Sequence, residues 1–168
     1  MRTLIVGLGN PILGDDGVGW RIAQSLQENV ALPPDVEVIC LALGGISLME
    51  ALVGYERVIL VDSITTHRAP NGTVTLHKLA EFENPAYGHM SSAHDTSLQN
   101  ALKIGRELGA QLPEEIMVVA IEAEKVYDFS EELTPTVAAA IPKSVEMIQK
   151  ILSTGNPSNP HDTDHAYN

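Results

Sequence analysis

Apolar strands alternating with helical segments predict an α/β protein of three layers, with a twisted, mostly parallel five-stranded sheet between helices. Two observations carry that prediction. Five short apolar runs, several rich in β-branched residues, fall at 3–9, 36–43, 57–62, 71–79 and 115–123, and segments with helical apolar spacing separate most of them. The length of 168 residues is that of one ordinary domain, and a domain of this size buries roughly 70% of its unfolded surface.

The first run, "TLIVGLG", is ended by glycine. A helix is expected from about Asp16 to Glu28, where Val18, Ile22, Ala23 and Leu26 recur on one face. "LPP" at 32–34 breaks it before the strand "VEVICLAL". "GG" at 44–45 is a turn, and "ISLMEALVG" reads as a short helix. "RVILVD", 57–62, is apolar on consecutive positions and is expected to be buried on both faces, with Asp62 at its end. "NGTVTLHKL", 71–79, follows an Asn-Gly turn and alternates, as a more exposed strand does. A polar loop at 83–94 leads to a helix from about Asp95 to Leu108. After "EIMVVAIEA", the stretch from Glu131 is mostly helix. Pro135 suits an early helical position, and Pro142 is expected to kink or divide the helix. Residues 1–153 form one domain on this reading. The polar, Pro- and Asn-rich 154–168 are expected to be disordered. His161, Asp162, Asp164 and His165 in that tail offer a weak metal site, against which plain disorder is the simpler reading.

Apolar residues make up 44% of the chain and aromatics only 4%, so the core is aliphatic. The formal charge is −12, from 22 acidic and 10 basic residues. That balance opposes nucleic acid, whose phosphates need cationic side chains, and an anionic membrane surface. It suits a basic partner or a metal ion. A single cysteine, Cys40, fits a reducing compartment and reads as a small hydrophobe within a strand. With no signal-peptide pattern at "MRTLIVGLGN" and no run near the ~20 apolar residues of a membrane span, a cytoplasmic protein is expected. No heptad pattern calls for an obligate oligomer, so a monomer is expected.

Ligands of such sheets bind outside the carboxyl ends of the strands. Asp15 and Asp16 follow the first strand, Asp62 ends the third, and His94 closes the loop before a helix. Each has a plainer reading: an Asp capping a helix N-terminus, worth about 1 kcal/mol, a turn-forming Asp62, a loop histidine beside a capping Asp95. Together they offer carboxylate oxygens and an imidazole, a set suited to zinc, nickel or a similar ion with open positions. His89 is a rival ligand. "GLGN" does not extend to a dinucleotide fingerprint, since Ile12 stands where the third glycine is due, and no "GxxxxGK[ST]" occurs. Two carboxylates would also repel phosphate, so no nucleotide cofactor is expected.

"IVGLGNPILGDDGVG", "RIAQSL", "VILVDS" and "SSAHDTSL", in that order from Met1 to about Leu152, resemble the nickel–iron hydrogenase maturation endopeptidases. The resemblance implies removal of a C-terminal extension from a hydrogenase large-subunit precursor after nickel insertion, with nickel in the precursor as the recognition signal. It also implies a metal-binding set of Asp16, Asp62 and His94, with nickel bound through the substrate, and leaves Asp15 to cap the helix or support Asp16. No Ser–His–Asp or Cys–His motif is present, so direct water attack is favoured, with Asp16 or Asp62 as general base.

Many members of that family place an aspartate just after the second strand. Here "ICLALGGIS" holds no acid between Glu37 and Glu50. Three other readings compete: a metal-site chaperone that inspects without cutting, a metal-dependent hydrolase of another amide or ester, and a peptidyl-tRNA hydrolase, whose start "LIVGLGNP" resembles. The last lacks its Thr-Arg-His-Asn continuation here, and the −12 charge opposes tRNA.

Overall fold

A computed structural model describes residues 1–83, 93–124 and 128–154, with the backbone alone described at 83 and 93–97. His89 and residues 155–168 of the predicted tail lie outside the described residues. β1 (Thr3–Leu8), β2 (Val36–Leu41), β3 (Arg57–Ile64), β4 (Val74–Lys78) and β5 (Glu115–Glu122) form one sheet in the order β2-β1-β3-β5-β4. Only β4 runs antiparallel, pairing with β5 at the sheet edge. Its side chains are half-buried from Val74 to His77 and exposed at Lys78, so it is the more exposed strand expected, but its burial does not alternate.

Helices cover both faces. α1 (Val18–Asn29), α4 (Pro135–Ala138) and α5 (Ala140–Ser153) pack Ile22, Leu26, Val137 and Ile148 against Ile5, Ile59, Val61 and Val119. On the other face, α2 (Gly45–Ala51) and α3 (Ala93–Glu107) set Leu48, Leu98 and Leu102 against Leu4, Val6, Leu60 and Val118. The largest fully buried side chains are leucines and isoleucines, with no aromatic among them. β1 and β3 are sealed on both faces, which is why their sequences are continuously apolar.

The strand order fixes where a ligand can sit. The connection from β1 passes through α1 to β2 on one side, while β3 lies on the other side of β1. Adjacent connections therefore diverge above β1 and β3, and the gap between them at the carboxyl edge is the natural crevice of such a sheet.

Several boundaries differ from expectation. A 3₁₀ turn, Gly14–Gly17, precedes α1, so Asp15 and Asp16 lie in the turn. β3 continues past Asp62 to Ile64, because β5 stays alongside it: Asp62 pairs with Ala120 and Ile64 with Glu122. The division of the last helix falls at Ala139, three residues before Pro142. Pro142 then sits in the first turn of α5, where its missing N–H costs no intrahelical bond.

Candidate active site

The loop after β1 is built to bring Asp16 back onto the strand end. Gly9 has φ +123°, and a Cβ there would lie 1.9 Å from the Asp16 carbonyl oxygen. Only glycine fits that position. The return lets the Asn10 backbone N–H donate to Asp16 Oδ2 at 2.7 Å. Asp16 remains partly exposed.

A second close approach lays α1 over the crevice. A Cβ on Gly19 would meet the Val61 carbonyl oxygen at 2.2 Å and that of Leu8 at 2.5 Å. The start of α1 therefore rests on the ends of β1 and β3 at once, and the 3₁₀ turn carrying Asp16 lies against β3. Asp62 is the residue after Val61. The β1–β3 pairing stops at Gly7 and Val61, so Asp62 stands one step beyond the paired region, 2% exposed, with Oδ1 accepting the Ser63 N–H at 2.8 Å. Asp16 and Asp62 thus come to one end of one strand pair, at the crevice.

Asp62 alternates with Leu60 and Ile64, both in the cluster that α2 and α3 cover. α3 begins at Ala93, so His94 lies inside its first turn. This corrects the expectation of a loop-closing histidine beside a capping Asp95: both residues are already helical, and an acid in a first turn suits the positive end of the helix. The His94 side chain lies outside the described residues. Among the described residues, no group of three or more His, Cys, Asp or Glu is arranged to hold a metal ion. The two aspartates alone are placed.

Neither Asp15 nor Asp16 caps its own helix through its side chain; Gly17 is the N-cap of α1. Asp15 is 6% exposed and faces another element. Its Oδ1 accepts the Thr134 N–H at 2.7 Å and its Oδ2 the Thr134 hydroxyl at 2.8 Å. Thr134 is the N-cap residue of α4, yet its hydroxyl serves Asp15 instead of the helix. The same seam contains the Ser130 N–H donating to the Ile12 carbonyl at 2.9 Å and the Gly14 N–H donating to that of Ser130 at 2.7 Å.

Sequence reasoning also passed over Glu122, 4% exposed at the end of β5. Its carboxylate accepts the N–H groups of Thr66 and His67 at 2.7 and 2.9 Å and the Thr66 hydroxyl at 2.8 Å. These bonds hold the loop after β3, where His67 has φ 57°. An acid closing the apolar run from Ile116 to Ile121 was the available signal.

A cavity of about 870 Å³ lies at the opposite, amino edge, bordered by Tyr55, Lys78, Gln99 and Arg106. Two of its basic groups are engaged with the protein itself: Lys78 pairs with Glu115 at 2.7 Å, and Arg106 donates to the Pro113 carbonyl at 3.1 Å. The crevice between β1 and β3 is the better site, because there the topology brings the loop carrying Asp16 to the strand that carries Asp62.

A family model for hydrogenase maturation proteases (HycI) matches residues 20–151. The chain belongs to the hydrogenase maturation protease family. Hydrogenase 2 maturation protease of Escherichia coli (strain K12) is 30% identical over 149 residues, covering 88% of each chain. The hydrogenase expression/formation protein HoxM of Azotobacter vinelandii is 26% identical over 90% of this chain and 72% of its own. Among solved structures, the hydrogenase maturating endopeptidase HybD from E. coli superposes with a TM-score of 0.76 at 28% identity, covering 92% of this chain and 94% of its own. The [NiFe] hydrogenase maturation protease HybD from Thermococcus kodakarensis gives 0.69 at 28% identity, covering 90% and 99%.

The chain is therefore a peptidase of this family with its five-stranded α/β fold, and membership displaces the peptidyl-tRNA hydrolase reading. The family model begins after the loop that carries Asp15 and Asp16 and includes Asp62 and His94.

Proposed function

We propose that this chain is the endopeptidase that removes the C-terminal extension of a nickel–iron hydrogenase large-subunit precursor once nickel has been inserted, with the precursor's own nickel as the recognition signal. The observation that carries the reading is the convergence of Asp16 and Asp62 on the β1–β3 crevice in a chain of this family. The relatives' names supply the class of client; the acids supply the chemistry.

Nickel here belongs to the substrate. Asp16 and Asp62 offer it hard oxygen ligands, and His94, at the start of the helix on Asp62's face, is assigned as the nitrogen ligand. Such a set is too weak to extract nickel from a thiolate site, but it can add ligands to nickel already there and so hold the nearby peptide bond in place. Asp16, partly exposed and anchored through one oxygen by Asn10, is the group best able to reach a water and act as general base. Asp62, nearly buried and fixed by Ser63, orients the complex. The chain acts as a monomer in the cytoplasm, docking transiently on its client. No helix among the described residues is long and apolar enough to cross a membrane.

The test is to incubate the protein with a large-subunit precursor, with and without nickel, and follow the precursor's mass. Shortening of the nickel-loaded form alone is expected. Binding without any mass change would instead identify an inspecting chaperone, and equal cleavage of both forms would remove nickel as the signal.

A further inference from the structure

Phe129 is one of only two phenylalanines in the chain, and it is 84% exposed. A large aromatic held out on an ordered segment is a candidate anchor for a partner. Its segment is well fixed. Ser130 forms a parallel bridge to Leu13, with the Ser130 N–H on the Ile12 carbonyl and the Gly14 N–H on the Ser130 carbonyl. Arg21 Nη2 donates to the Glu131 carbonyl at 3.1 Å, and Asp15 binds Thr134 through both oxygens. Phe129 is therefore pinned to the loop that carries Asp16, beside Ile12, itself 44% exposed.

Among the described residues, the charge on this stretch is mainly negative. Asp128, Glu131 and Glu132 are exposed on the same short stretch, and Arg21 is engaged with the Glu131 backbone carbonyl.

We propose that Ile12 and Phe129 form a docking ridge for the client precursor, receiving an apolar side chain flanked by lysine or arginine from the segment next to the bond that is cut. The apolar pair supplies the contact, and the carboxylates select a basic neighbour. This deepens the endopeptidase reading and rests on it for the identity of the client.

The experiment measures binding and shortening of a nickel-loaded large-subunit precursor separately, for wild type, Phe129→Ala, Ile12→Ser and the double variant Glu131→Lys with Glu132→Lys. Thermal melts confirm that each variant folds. Phe129→Ala is expected to raise Kd and KM about tenfold, as for an exposed aromatic anchor, with kcat falling far less. Double charge reversal is expected to weaken binding at low salt and to converge on wild type near ~0.5 M, where exposed charges are screened. Wild-type affinity in both Phe129→Ala and Ile12→Ser, or tighter binding after charge reversal, would overturn the ridge. If wild type binds without shortening the precursor, the endopeptidase reading fails while these affinities still decide the ridge. If wild type does not bind the precursor, both fail.

Discussion

Asp15 and Thr134 are 119 residues apart in the chain, yet both oxygens of the one carboxylate are taken by the backbone N–H and hydroxyl of the other. The neighbouring Asp16 is left to face the crevice. Adjacent acids have thus divided their work: one ties α4 to the loop after β1, and the other is held at the strand end by Asn10.

Asp15→Ala should cost about 1–3 kcal/mol, the range for losing hydrogen bonds to a charged group that is nearly buried. Urea unfolding measures it. Asp15→Asn keeps one acceptor and should lose less. An unchanged midpoint for Asp15→Ala would show that the seam to Thr134 contributes nothing to stability.

Gly19→Ala sets two effects against each other. Alanine is favoured over glycine inside a helix by about 1 kcal/mol. The added Cβ, however, would press on two backbone carbonyls, at 2.2 and 2.5 Å, and overpacking of this kind typically costs ~1–3 kcal/mol. The clash should win, lowering Tm and precursor processing together as α1 lifts from β1 and β3. A Tm above wild type would mean that helix propensity had prevailed.

Cys40 should react slowly with alkylating agents at neutral pH. Partial burial raises its pKa, because desolvation penalises the thiolate, and its thiol points to the Trp20 carbonyl at 3.7 Å. A raised pKa means less thiolate at pH 7 than in a free thiol, so the alkylation rate should climb only above the ordinary thiol range. Rates followed against glutathione across pH test this. A rate at pH 7 equal to that of glutathione would contradict it.

The sheet and its helices were legible because their signals are local. Val18, Ile22 and Leu26 repeat at helical spacing and all are buried, and "RVILVD" is apolar at successive positions because helices cover both its faces. The position of Asp62 near the carboxyl end of β3 was also legible, because it follows an unbroken apolar run. The role of Asp15 was not. Its partner is distant, and an acid before a helix reads as a cap until the partner is seen. Glu122 was hidden for the same reason, since its three donors lie on Thr66 and His67, far away in sequence. Pro142 was readable as a break but not as the third residue of α5, because proline is tolerated in a first helical turn.

The central claim, that Asp16 and Asp62 carry the processing site, is tested most directly by Asp16→Asn and Asp62→Asn assayed on nickel-loaded precursor, with Tm measured on the same samples. Asparagine keeps the shape and one carbonyl acceptor for the N–H groups of Asn10 and Ser63, so the fold should survive. Processing should fall at least a hundredfold in each, the scale of losing a general base or a ligand. Processing at the wild-type rate by both variants, at unchanged Tm, would contradict the account.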